Sequence, residues 1–108
     1  MKHDKLFSTH VYLFDNVIDN NSLLQIRKDI TSSYNQTTKN WQSKANLHRN
    51  KLYDKLTNKV VENTKKVFDS LHFEYQGFNI TDMWSNILKP GETHAPHTHS
   101  NNLVSGVF

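Results

Sequence analysis

An amphipathic repeat in the middle of the chain most constrains the fold. Apolar residues recur there at spacings of four and seven, with charged and polar residues between them: Leu52, Leu56, Val60, Val67 and Leu71. This spacing places the apolar side chains on one helical face, so it predicts an α-helix from near Leu52 to about Leu71. Such a face must be buried against a partner. The sequence offers one with enough apolar surface, a sheet made of an N-terminal strand and strands after Phe73.

The residues before this helix predict a strand and a shorter helix. The segment from Leu6 to Asp15 is rich in β-branched and aromatic residues and predicts a first strand. Asp19 to Ser22 supplies residues that favour a helix N-cap. The helix that follows is expected to end near Tyr34, and its apolar residues can share one face: Leu23, Leu24, Ile26 and Ile30.

The remaining segments predict a loop, three strands and a turn. Residues 35–49 are expected to be mostly loop, with Trp41 and Leu47 as core anchors. Lys89 to Glu92 has Pro and Gly at the central positions of a type II turn. The predicted fold class is α+β, two helices packed on an antiparallel sheet. Its later strands are Phe73–Tyr75, Phe78–Leu88 and Leu103–Phe108.

Length and composition limit the class of protein. A chain of 108 residues that is 35% hydrophobic is expected to form one domain, residues 1–108. The sequence has no cysteine, which excludes disulfides and thiolate metal sites. Its first residues do not form an apolar leader, and no run approaches the roughly 18 apolar residues of a membrane span. We therefore expect a cytoplasmic protein that does not enter a membrane.

The charge distribution argues against a nucleic-acid-binding role. The formal net charge of +3 comes mainly from lysines scattered along the chain, and the arginines are Arg27 and Arg49. Arginine is the residue that binds bases and phosphates with two parallel hydrogen bonds. A solvated lysine-rich surface is the expected result.

Three histidines form a candidate metal site. His94, His97 and His99 fall within six residues, between two apolar segments. Neutral imidazole binds divalent metals, and positions i and i+2 of an extended segment face the same side. Pro96 favours an extended backbone before His97, so His97 and His99 can chelate one ion, and His94 ranks third. The alternative is that all three are ordinary polar residues of an exposed loop.

The C-terminal quarter resembles a known enzyme family. The order W-S-N-I-L-K-P-G, P-H-T-H-S-N-N and L-V-S-G-V-F is similar to the core motif of 2-oxoglutarate/Fe(II)-dependent oxygenases common in marine bacteria and phages. The match covers roughly Met83 to Phe108, and L-F-S-T-x-V-Y near the start also resembles that family. The four motif elements together are fairly specific, although each alone is weak.

This resemblance implies a fold and a site. The fold would be a partial double-stranded β-helix, a jelly-roll or cupin-like sheet with the helices outside it, and its mouth would hold Fe(II) and 2-oxoglutarate. His97 would be the first iron ligand. His99 stands where many such enzymes have a carboxylate and would be the second ligand. Asn86, with Trp84 two residues earlier, would bind 2-oxoglutarate or orient a ligand.

The sequence also departs from the family pattern. The family's distal histidine and its 2-oxoglutarate-binding arginine lie beyond the S-G-V-F strand, so the chain looks like the N-terminal half of a member, truncated within the sheet. An unpaired apolar strand at Leu103–Phe108 predicts a homo-oligomer formed through that strand. The alternatives are a non-catalytic self-associating fragment and a cupin-like protein that binds another divalent metal. The resemblance does not indicate which small molecule or peptide would be the substrate.

Overall fold

The protein has an α+β fold with two helices and a small antiparallel sheet. The structure, a computed structural model, describes residues 1–3 and 8–108. The helices are α1 (Asn20–Ser33) and α2 (Asp54–Ser70), and the strands are β1 (Trp41–Gln42) and β2 (Asn86–Ile87). Two short 3₁₀ helices, Leu47–Arg49 and Lys51–Tyr53, connect β1 to α2. Within the described residues, no helix is both long enough and apolar enough to span a bilayer.

Helix α1 begins where its N-cap residue predicts. The Asp19 carboxylate accepts a hydrogen bond from the Ser22 backbone amide at 2.9 Å and another from the Ser22 hydroxyl at 2.8 Å. A carboxylate there satisfies a backbone N–H that has no partner inside the helix. The helix ends at Ser33, and Tyr34 has extended backbone angles. The predicted start and end of this helix are both confirmed.

Helix α2 confirms the predicted long helix but corrects its buried face. Leu56 is buried near its first turn and Phe68 near its last, whereas Val60 between them is 38% exposed. Leu56 belongs to the core shared with α1, and Phe68 packs against aromatic residues that follow the helix. The apolar stripe is thus covered at its two ends, and the prediction that Val60 is a core residue was wrong.

The core joins the two helices through Tyr53. Tyr53 is 1% exposed and lies with Ile26 and Leu56 in one buried cluster. Its hydroxyl donates a hydrogen bond to the Asp29 carboxylate on α1 at 2.7 Å. Burial of the phenol and this bond to a carboxylate raise the pKa of Tyr53 above its usual value of 10.0. Half-buried apolar residues surround the cluster: Val17, Ile18, Ile30, Leu47, Leu52 and Met83.

The sheet pairs a segment that was predicted to be loop with the strand before the histidines. Trp41 lies opposite Ile87 and Gln42 opposite Asn86, in antiparallel register. Backbone hydrogen bonds continue this contact, from Ser43 to Ser85 at 2.9 Å and from Leu47 to Met83 at 3.0 Å. Trp41 is buried and Leu47 half-buried, so both predicted anchors are confirmed.

The turn after β2 has the predicted type. The Glu92 amide donates to the Lys89 carbonyl at 3.0 Å, and Gly91 has φ of +85°. A type II turn needs a positive φ at its third position, which glycine adopts without steric cost. The Pro90-Gly91 pair therefore forms the predicted turn.

The strands predicted at Phe73–Tyr75 and Leu103–Phe108 were wrong, the first predicted strand is absent over its described residues, and the fourth is much shorter than expected. Leu6 and Phe7 lie outside the described residues, and Ser8–Asp15 forms no strand. Phe73–Tyr75 and Leu103–Phe108 also form none, and of Phe78–Leu88 only Asn86–Ile87 is a strand. A strand requires a hydrogen-bonded neighbour, and a β-rich composition does not supply one.

The residues after α2 form an aromatic cluster in place of a strand. His72 has φ of +55°, a left-handed conformation at the point where the helix ends and the chain changes direction. Phe73, Tyr75 and Phe78 then pack around Phe68, with ring centroids 5.6, 5.9 and 4.7 Å from it. Edge-to-face packing of this kind buries apolar surface without strand pairing. The α+β class is confirmed, and the double-stranded β-helix stays a prediction.

Candidate metal-binding site

The segment after the type II turn returns toward the residues before β2. The imidazole of His99 stacks on the indole of Trp84, with ring centroids 5.8 Å apart and planes 26° from parallel. Trp84 is half-buried, whereas His99 is exposed. The fold thereby brings together two residues that are fifteen positions apart, which sequence spacing alone did not indicate.

His97 and His99 lie side by side. Their ring centroids are 4.9 Å apart and their planes meet at 63°. Residues 93–99 form neither helix nor strand, but the i, i+2 spacing brings the two rings together as it would in a strand. Two imidazoles this close can turn their nitrogens toward one ion.

A backbone hydrogen bond favours one tautomer of His97. Its Nδ1 lies 2.9 Å from the Ala95 carbonyl oxygen. A carbonyl oxygen only accepts hydrogen bonds, so Nδ1 carries the proton in the neutral ring and Nε2 keeps a free lone pair. Histidines that bind metals commonly donate their second ring N–H to a carbonyl or carboxylate in this way. The His97 ring therefore has the hydrogen bonding of a metal ligand.

The third histidine does not join the pair. His94 is exposed, and the ring contacts at the site are those of Trp84, His97 and His99. Among residues 1–3 and 8–108, no group of three or more His, Cys, Asp or Glu side chains could hold a metal ion. The site thus fits two positions of an iron coordination sphere and does not supply the third protein ligand of a facial triad.

The two residues that were predicted to bind 2-oxoglutarate differ in their exposure and contacts. Asn86 lies in β2 opposite Gln42 and is exposed. Trp84 precedes β2, and its ring is covered on one face by His99. Asn86 thus has an exposed side chain, and Trp84 contacts one histidine of the pair.

Sequence reasoning missed one residue beside the site. The Glu92 carboxylate accepts hydrogen bonds from the backbone amides of Lys89, at 2.9 Å, and Asn40, at 3.2 Å. The bond from the Lys89 amide holds the pKa of Glu92 below its usual value of 4.5, and the Asn40 amide adds to this effect. An acidic residue directly after a Pro-Gly turn indicates the hydrogen bond from the Lys89 amide. The second donor, the Asn40 amide, is 52 residues away and could not be found from the sequence.

A surface concavity lies away from the histidines. It is open and polar, and residues from the start of α1 and from α2 line it, including Asp19, Lys55 and Glu62. Lys55 forms an ion pair with Asp19 at 3.0 Å across this surface. These residues connect the two helices and form no group that points to a ligand.

Comparison of the chain with family models, with curated proteins and with solved structures finds no match. Any functional assignment therefore depends on the motif order and on the geometry of the histidine pair.

Proposed function

We propose that the chain is a member of the Fe(II)- and 2-oxoglutarate-dependent oxygenases and that His97 and His99 provide two of its metal ligands. The observation that carries the proposal is the side-by-side placement of these rings, 4.9 Å apart, with the Ala95 carbonyl holding Nδ1 of His97. That hydrogen bond directs the proton to one ring nitrogen and leaves the other for a metal.

Each residue of the site would have a separate task. His97 would bind through Nε2, and the face of Trp84 would limit rotation of the His99 ring. The exposed amide of Asn86 would donate a hydrogen bond to an oxygen of 2-oxoglutarate. When bound, Fe(II) and 2-oxoglutarate would supply the oxidising chemistry of this enzyme class by activating O₂, and two histidine ligands would leave positions on the metal for 2-oxoglutarate and O₂. The substrate would be a small molecule or a peptide.

Anaerobic calorimetry with Fe(II), followed by a 2-oxoglutarate turnover assay, tests the proposal. We expect one Fe(II) per chain and an affinity at least about tenfold weaker in His97→Ala and His99→Ala, since each substitution removes a ligand. His10→Ala, at an exposed histidine far along the chain, is the matched control. Formation of succinate from 2-oxoglutarate would support the oxygenase assignment. Metal binding without succinate would favour the cupin-like alternative, and no metal binding would overturn the proposal.

A second candidate role is self-association. Residues 103–108 form neither helix nor strand and are exposed, with Leu103 84% exposed and Val107 fully exposed. Exposed apolar segments without a hydrogen-bonded neighbour favour strand addition between copies. We propose that a second copy pairs with this segment, which would give the non-catalytic, self-associating alternative a physical basis.

A further inference from the structure

Residues 93–101, which carry the three histidines and are here named the histidine loop, are held at both ends by side-chain hydrogen bonds. At the start, the Glu92 carboxylate binds the Asn40 amide just before β1. At the end, the Thr81 hydroxyl donates to the Asn102 side-chain oxygen at 2.8 Å. The loop itself is exposed throughout, so these end contacts act together with the stack of His99 on Trp84 to place its imidazoles.

Glu92 makes the more extensive of the two attachments. One carboxylate oxygen accepts both the Lys89 amide within the turn and the Asn40 amide across the sheet. Glu92 is half-buried at this point. The Lys89 ammonium also donates to the Gln36 carbonyl, which links the same turn to the loop before β1. Strands β1 and β2 have only two residues each, so these contacts lengthen the short hydrogen-bonded connection between the two segments.

We propose that Glu92 is a positioning residue for the histidine pair: its carboxylate ties the turn to Asn40 and so holds the loop where His99 can stack on Trp84 beside His97. The proposal rests on the metal site put forward above. The stack of His99 on Trp84 forms only if the loop leaves the turn in this direction. Glu92 does not touch the metal and acts through the loop.

Three variants of Glu92 distinguish a positioning role from an effect of the negative charge alone. Glu92→Gln keeps an oxygen that can accept both backbone amides, and Glu92→Asp keeps the charge but shortens the side chain by one methylene. Glu92→Ala removes the acceptor. Glu62→Ala is the matched control, because Glu62 is also a hydrogen-bonded glutamate carboxylate but lies on α2, where it pairs with Lys59 and Lys66.

The first measurement is made on the metal-free protein by NMR. The Trp84 ring current should shift the ring protons of His99, and we expect Glu92→Ala and Glu92→Asp to move these protons toward the values of an unstructured histidine. Glu92→Gln and Glu62→Ala should keep the shifted values. If Glu92→Ala does not fold, Glu92→Asp decides the result. Unchanged His99 shifts in a folded Glu92→Ala or Glu92→Asp protein would overturn the proposal.

The second measurement is the affinity for Ni²⁺, used as a redox-stable probe, by calorimetry. We expect binding about tenfold weaker in Glu92→Ala and near wild type in Glu92→Gln. Equal affinity in wild type and Glu92→Ala would contradict a positioning role. If the wild-type protein binds no metal, the proposed function fails, and the NMR comparison still decides whether Glu92 positions the loop.

Discussion

Replacement of Tyr53 by Phe tests whether the bond between the two helices stabilises the fold. The substitution keeps the buried ring and removes the hydroxyl that donates to Asp29 at 2.7 Å. Hydrogen bonds to charged groups contribute about 1.5–3 kcal/mol, but half-buried Asp29 can bind water in the variant. We therefore expect a loss of about 1–2 kcal/mol in the free energy of unfolding, equivalent to roughly 4–8 °C in the melting temperature.

Urea unfolding followed by circular dichroism measures this change. A double-mutant cycle with Asp29→Ala should show that the two substitutions are not additive, because they remove the same bond. Tyr12→Phe, at a partly exposed tyrosine, is the control and should leave the unfolding midpoint unchanged. A Tyr53→Phe protein as stable as wild type, or fully additive effects in the cycle, would refute this account of the core.

The raised pKa of Tyr53 predicts that the stability of the fold depends on pH. The pKa of Tyr53 is raised in the folded protein, so its contribution to stability is complete below pH 10, the usual value for tyrosine, and is lost as the pH rises above it. Wild-type protein should lose stability more steeply than Tyr53→Phe above pH 10 in chemical-denaturation curves. Identical slopes for the two proteins would contradict this assignment.

Substitutions at three further positions test other parts of the structure. Asp19→Ala should lower the melting temperature, and Asp19→Asn should lower it less, since asparagine also caps helices but cannot form the ion pair with Lys55. The pKa of Asp19 is lowered by its bonds with Ser22, so the wild-type advantage should disappear as the pH falls below about 4. Phe68→Ala should cost about 3–5 kcal/mol by chemical denaturation because it empties the centre of the aromatic cluster, and a loss below 1 kcal/mol would contradict that packing. Val107→Asp should reduce the mass measured by light scattering if residues 103–108 pair between copies, and a wild-type monomer at micromolar concentration would exclude that pairing.

The helices could be predicted because their signals are local. Asp19 lies next to the helix that it caps, and the residues that share a helical face are three or four positions apart. The Lys89–Glu92 turn is equally local, because proline and glycine specify its backbone angles by themselves. The strands were not predictable in this way. Strand β2 pairs with Trp41 and Gln42, which lie more than forty residues earlier in a segment that was predicted to be loop.

The candidate site likewise contains one contact that the sequence predicts and others that only the fold creates. The pairing of His97 with His99 follows from their spacing, and the sequence predicts it. The contact of His99 with Trp84 and the bond of Glu92 to Asn40 depend on how the chain folds back, so they appear only in the structure. His94 was ranked third from sequence because Pro96 separates it from the pair, and the structure likewise leaves it outside the ring contacts.

We propose that His97 and His99 bind one divalent ion, His97 through the Nε2 that its hydrogen bond to Ala95 leaves free. Nitrogen-15 NMR of the histidine side chains during titration with Zn²⁺ tests it most directly. We expect the Nε2 signal of His97 and one ring nitrogen of His99 to shift together and to saturate at one ion per chain, while Nδ1 of His97 keeps its proton and His10 does not respond. Equal shifts at all histidines, or a response at Nδ1 of His97, would contradict it.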